Sequence, residues 1–152
     1  MYKDTITLFI RQEGDEGDTW HPTIIPNVHL NMDRAAIMAK YGAEAADSAE
    51  LHLRYTQEGN EKRIAEKVWK PPKEWEKLLD KTGAITFTPG DRFDFFWLGN
   101  WDREAPVHDS DFTVISFTGF YNFMNRNFDH VFAITSVGGP YSVIPHFEIL
   151  GK

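Results

Sequence analysis

A chain of 152 residues with a formal charge of −7, a pI near 5.3, 41% hydrophobic and 26% charged residues is sized for one globular domain. The absence of cysteine excludes disulfides, thiol nucleophiles and thiolate metal sites. The largest local charge excess, Glu13–Asp18, is acidic and no Lys/Arg stripe occurs, so tight gripping of a phosphate backbone is not expected. No run approaches the roughly 18 apolar residues of a membrane span, and Met1–Asp4 leads straight into polar-apolar alternation without a signal-peptide core. The reading is of a soluble protein made in the cytoplasm.

Asp4–Gln12 alternates Ile6, Leu8 and Ile10 with Thr5, Thr7 and Phe9, the two-residue period of a strand. The glycine-spaced acidic run after it has turn chemistry and reads as an exposed loop. Trp20–Ile25 and Val28–Met32 are expected as a pair of strands separated by Pro26-Asn27. Asp33 is placed to cap a short helix over Arg34–Tyr41, with Gly42 as its stop. Ala43–Glu50 is small and acidic and offers little apolar area against the entropy of ordering. Residues 33–50 are therefore expected to form a long mobile loop in which Ile37, Met38 and Tyr41 make an apolar cluster awaiting a partner.

Leu51–Tyr55 alternates again, Glu58-Gly59-Asn60 reads as a hairpin turn, and Lys62–Lys70 reads as one return strand. Pro71-Pro72 is a boundary, after which Trp75, Leu78 and Leu79 share a helical face. Ile85 and Phe87 belong to a strand closed by Pro89-Gly90, and Phe93, Phe95 and Trp97 line one face of the next. Gly99–Ser110 is a loop carrying Trp101, Phe112–Thr118 a strand, and Phe120, Phe123 and Met124 have helical spacing. Val131–Leu150 closes the chain as a hairpin turned at Gly138-Gly139-Pro140, with Pro145 making its second arm an edge strand or a bulge. The pattern predicts a single mainly-β domain over 1–152: a β-barrel or sandwich of about seven or eight strands with two or three short helical insertions.

Chemistry-bearing motifs are scarce. The sequence has no Gly-x-Ser-x-Gly elbow, no phosphate-binding glycine loop, no dinucleotide fingerprint and no His-Glu-x-x-His. His108, Asp109 and Asp111 could hold a cation, but Asp and Ser at that spacing also build turns. Asp91 and Asp94 could serve as an acid–base pair, yet positions i and i+3 of a strand face opposite sides. His21, His29, His52, His108, His130 and His146 each stand alone in the sequence. No catalytic residue, cofactor or metal ligand is assigned. Trp97, Trp101, Phe120 and Tyr121 could form a stacking platform for a sugar or a base; core packing accounts for the same residues, except that Trp101, in its loop, fits an exposed interface anchor.

The opening strand Thr5–Ile10, the loop to Trp20, and the strand ending Val28-His29-Leu30 resemble the small neck proteins of tailed bacteriophages and prophages, the head-closure (stopper, head-completion or minor capsid) type. The Ala/Gly/Glu segment 35–50 ahead of Leu51–Tyr55 sits where that family carries its long loop. The ending Ala133–Pro140 followed by Ile144-Pro145-His146-Phe147-Glu148-Ile149 resembles the family's closing hairpin. The resemblance implies a β-barrel without catalysis or cofactor that forms a ring in the virion neck, between portal or connector and tail. There it would retain packaged DNA without binding it tightly and offer the tail a docking face, after synthesis in the host bacterium's cytoplasm. Its partners would be copies of itself, the portal or connector, and tail proteins. Net negative charge suits a channel through which DNA slides. Candidate assembly residues are Ile37, Met38 and Tyr41 in the loop, Trp101, and Tyr141, Pro145 and His146 in the closing hairpin. Extra length around 71–83 and 99–130 leaves a tail-terminator or other joining role open. An aromatic-rich carbohydrate-binding β-domain and a small hydrolase using His108, Asp109 and Asp111 are the alternatives of other classes.

Overall fold

The structure is a computed structural model that describes residues 2–152. Strands β1 (Asp4–Gln12) and β2 (Thr19–Asn31) open the chain, and α1 (Arg34–Tyr41) leads to β3 (Ala49–Arg54). Short elements follow: β4 (Thr56–Glu58), β5 (Glu61–Ile64), β6 (Lys67–Trp69), α2 (Pro72–Lys77) and β7 (Ala84–Ile85). Then come β8 (Phe95–Leu98), β9 (Val107–His108), β10 (Thr113–Val114), β11 (Phe117–Thr118), α3 (Phe120–Asn127), β12 (Val131–Tyr141) and β13 (His146–Gly151). Six of these strands close into an antiparallel barrel in the order β1-β8-β12-β13-β3-β2, with β2 returning to β1. β9 adds to β2, while β4-β5-β6-β7 and β10-β11 form two small sheets beside the barrel. Among the described residues no helix is long and apolar enough to cross a membrane.

Strand parity builds two cores. Ile6, Leu8 and Ile10 of β1, Leu51 and Leu53 of β3, Phe96 of β8, and Phe147 and Ile149 of β13 point into the barrel and are buried there. The opposite parity sends Phe9, Trp20, Phe95 and Val131 outward, where Phe120 and Met124 of α3 cover them. Burying each such side chain contributes about 1.5–3 kcal/mol. Thr7, also on the outer face of β1, satisfies its hydroxyl by donating to Gly99 O (2.9 Å) and accepting from Trp101 N (3.0 Å).

The cap at Asp33 is as expected: its side chain accepts from Ala35 N and Ala36 N, and the helix stops at Gly42. Five local expectations change. Pro26-Asn27 does not divide β2; Asn27, at φ 56°, takes up a bulge between the Asp4↔Val28 and Ile6↔Ile25 pairs. The expected single strand over Lys62–Lys70 is a hairpin, because Ala65 (φ 50°) and Glu66 (φ 66°) form a two-residue turn of the twist that hairpins favour. Helix α2 ends at Lys77 with Leu78 already extended, so Leu79 is fully exposed rather than part of an apolar face. The expected strand Phe112–Thr118 folds back on itself as β10-β11, leaving Val114 and Ile115 exposed at its tip. The closing hairpin does not turn at Gly138-Gly139-Pro140: β12 runs through them to Tyr141, and the turn is Ser142–Pro145.

Candidate functional site

The two carboxylate groups that looked chemical are structural clamps. Asp109 Oδ1 accepts from Trp20 Nε1 (3.0 Å) and from Phe120 N (2.8 Å), tying the start of α3 to the barrel wall. Gly119 allows this approach: at φ +122° a Cβ there would lie 2.7 Å from the Asp109 carboxylate. His108 and Asp111 are exposed, so the loop does not bring the three together as a pocket. Asp94 is fully buried; its two oxygens accept from Arg11 N (2.9 Å) and Thr88 N (2.8 Å). Burial pushes this carboxyl up to about 8 against the pull of those two amides. Asp91 lies exposed on the preceding turn, apart from it.

Trp101 is not the exposed anchor its loop suggested. Its ring stands edge-on to Phe9 (5.5 Å between centroids) and Phe120 (5.6 Å), packed against the outer core. Trp97 and Tyr121 pack against the same core, so the aromatics form a layer and not an open platform.

The other assembly candidates divide. Ile37 is buried, Met38 half-buried, and Tyr41 is exposed with its hydroxyl donating to the Glu50 carboxylate. Ser48 N further donates to Gly151 O (2.8 Å), which ties the end of segment 33–50 to β13. Pro145 is in the turn and outside β13, and its carbonyl accepts from Tyr55 N (3.3 Å). β13 is paired on both sides, by β12 and β3, so no open edge exists beside Pro145. Tyr141 is exposed and its carbonyl accepts from Tyr55 OH (2.8 Å). Next to it the hairpin tip presents Val143 and Ile144, 81% and 71% exposed, with Ile144 at φ 49°.

His146 belongs to a cluster on the outer wall that the sequence reading missed. β3 and β13 are adjacent and antiparallel, with Glu148 opposite His52 and His146 opposite Arg54. Leu51, Leu53, Phe147 and Ile149 face inward, so Glu50, His52, His146 and Glu148 share the outward face. His52 Nδ1 lies 3.8 Å and His146 Nε2 3.5 Å from the same Glu148 Oε1. The two imidazoles are nearly parallel at 10°, with centroids 6.3 Å apart, and one donor atom from each of His52, His146 and Glu148 falls within 4.8 Å of the others. Glu50 frames the cluster, accepting from His52 Nε2 (2.9 Å), Lys40 Nζ (3.0 Å) and Tyr41 OH. Burial acts to raise its carboxyl, but the hydrogen bonds from Tyr41, His52 and Lys40 bring it down to about 2. The only local signal was a pair of two-residue spacings, Glu50-x-His52 and His146-x-Glu148; joining them requires the β3–β13 register.

Fold and wall together define a small closed antiparallel barrel with an aromatic outer layer and projecting hairpins. The chain belongs to a family of unknown function (DUF6751), which it matches over residues 1–152. No curated protein and no solved structure matches it.

Proposed function

We propose that this chain is a structural joint of the head-closure type, a ring-forming neck protein that sits between portal or connector and tail and retains packaged DNA. The observation that carries the reading is the exposed apolar tip Val143-Ile144 at the end of β12-β13, on a barrel whose strands are otherwise paired around the circle. A β-branched residue held at positive φ in a solvent-facing turn is an unfavourable arrangement. Docked against a neighbouring subunit, the tip gains the apolar burial it lacks alone. The β10-β11 hairpin offers a second such tip at Val114 and Ile115. The acidic balance supports a lumen that DNA passes through without being held.

The test is genetic and structural. In a prophage carrying this gene, deletion is expected to give heads that lose their DNA and lack tails when induced particles are viewed by electron microscopy. A Val143→Ser, Ile144→Ser double variant that folds normally is expected not to restore infectious particles. Normal yields of filled, tailed particles from the deletion would overturn the reading.

A further inference from the structure

We infer that His52, His146 and Glu148 bind one divalent transition-metal ion of the zinc class on the outer wall of the barrel. Three observations point the same way. Glu148 is paired directly opposite His52, and His146 stands two residues before Glu148 on the same face of β13, so the strand backbone sets their spacing. Each histidine has one ring nitrogen committed to an oxygen: His52 Nε2 to Glu50 Oε1 (2.9 Å) and His146 Nδ1 to the carbonyl of Ile144 (2.6 Å). A carboxylate or carbonyl oxygen only accepts, so both of those nitrogens carry the hydrogen. In the neutral rings that bind a metal, the lone pairs then sit on His52 Nδ1 and His146 Nε2, the two atoms that face Glu148 Oε1.

An imidazole whose far N–H is fixed by an oxygen acceptor is the usual outer-shell arrangement of a metal-binding histidine, because it sets the tautomer and the ring orientation. With both rings neutral, two lone pairs converge on a carboxylate oxygen and repel it, and a cation among them turns that repulsion into binding. Ligand atoms about 2.0–2.1 Å from a tetrahedral zinc ion lie about 3.3 Å from one another. The His–Glu separations of 3.5 and 3.8 Å need only a small contraction to reach that. Two imidazoles, one carboxylate and no thiolate select zinc or a neighbouring divalent ion over calcium or magnesium, which prefer all-oxygen shells. Lys40 Nζ, 3.7 Å from Glu148 Oε1, is the competing cation; its side chain is half-exposed and free to turn toward Glu50 alone. The three ligand side chains are themselves partly exposed, 17–27%, which gives an ion a path in and leaves a fourth position for water. This site goes beyond the assembly role and does not depend on it.

The test is calorimetric titration of zinc chloride into the full chain after treatment with a chelator. Binding of one ion per chain with a dissociation constant in the micromolar range or tighter is expected. Glu148→Gln, which keeps the size of the side chain, and His146→Ala should each weaken it at least tenfold, while His108→Ala on β9 leaves it unchanged. Cobalt substitution should give the visible bands of a four-coordinate ion, lost in Glu148→Gln. Only millimolar binding, or binding that survives both Glu148→Gln and His146→Ala, would overturn the site.

Discussion

The barrel interior and the aromatic layer outside it are made by the same strands, yet they are held in different ways. β1 turns Leu8 and Ile10 inward and Phe9 outward; β8 turns Phe96 inward and Phe95 outward. Around the interior a closed ring of strand pairs leaves no side to open. The outer layer is covered by α3 and the turn before it, attached through Phe120, Met124 and the Asp109 hydrogen bonds. The interior should therefore unfold only with the whole molecule, and the outer layer should open below that limit. Each core also has one aspartate at its seam. Asp94 joins the end of β1 to Thr88 from within, and Asp109 joins Trp20 to α3 from without.

The strongest way to break the comparison is inside the barrel. Phe96→Ala is expected to lower stability by about 3–5 kcal/mol. The β1 and β3 amides should still lose their exchange protection together in one denaturant transition; separate transitions of those two strands would show that the interior is not a single cooperative unit. Asp94→Asn comes next, at about 2 kcal/mol, because an amide nitrogen cannot accept from Arg11 N or Thr88 N. Its signature is in pH. A carboxyl whose folded value, about 8, lies above its unfolded one holds its proton more tightly in the fold. That contribution is complete below about pH 4 and is lost as pH rises through the folded value. Wild-type melting temperature should therefore decline between pH 5 and 8 more steeply than that of Asp94→Asn; parallel curves would remove Asp94 as the titrating group.

Asp109→Ala sharpens the contrast from outside. Leaving Trp20 Nε1 and Phe120 N without their acceptor should cost about 1–2 kcal/mol. Amide exchange is expected to quicken across α3 while the β1 and β3 amides keep their protection. Uniform acceleration would mean that the outer layer and the barrel form one unit. The smallest change lies in neither core. Ile144→Gly trades relief of positive φ against the entropy of glycine and should stay within about 0.5 kcal/mol of wild type or above it. A loss of more than about 1 kcal/mol in chemical denaturation would show that the tip is packed in the monomer.

Much of the fold was legible because single residues carried it. Ile6, Leu8 and Ile10 announce β1, Asp33 and Gly42 bound α1, and Gly59 marks the β4-β5 turn. Where a turn lacks glycine or asparagine, as at Ala65-Glu66, the strand signal simply ran on. The opposite error arose at Gly138, where the chain needs a small residue for another reason. A Cβ there would lie 2.6 Å from Tyr141 OH and 3.2 Å from Glu148 O, so the glycine marks close packing within a hairpin arm. For the candidate site, local spacing is a poor guide. Asp94 and Asp109 sit near other acids in sequence and suggested chemistry, but their hydrogen bonds go to distant backbone and ring N–H groups. His52 and His146 look solitary because the pairing that joins them spans more than half of the chain, and no local period encodes it.

That same long-range pairing shapes how the molecule must be assembled from an extended chain. β13 has to enter between β12, its neighbour in sequence, and β3, which was made far earlier, while β1 waits for β8 across most of the intervening chain. Loop-closure entropy is met before these contacts return anything, so folding should be slow for a domain of this size. Until the circle is complete, β1, β3 and β8 all expose bare edges that strands from another molecule could pair with. Refolding yield should therefore fall as protein concentration rises, although the finished barrel leaves those edges covered.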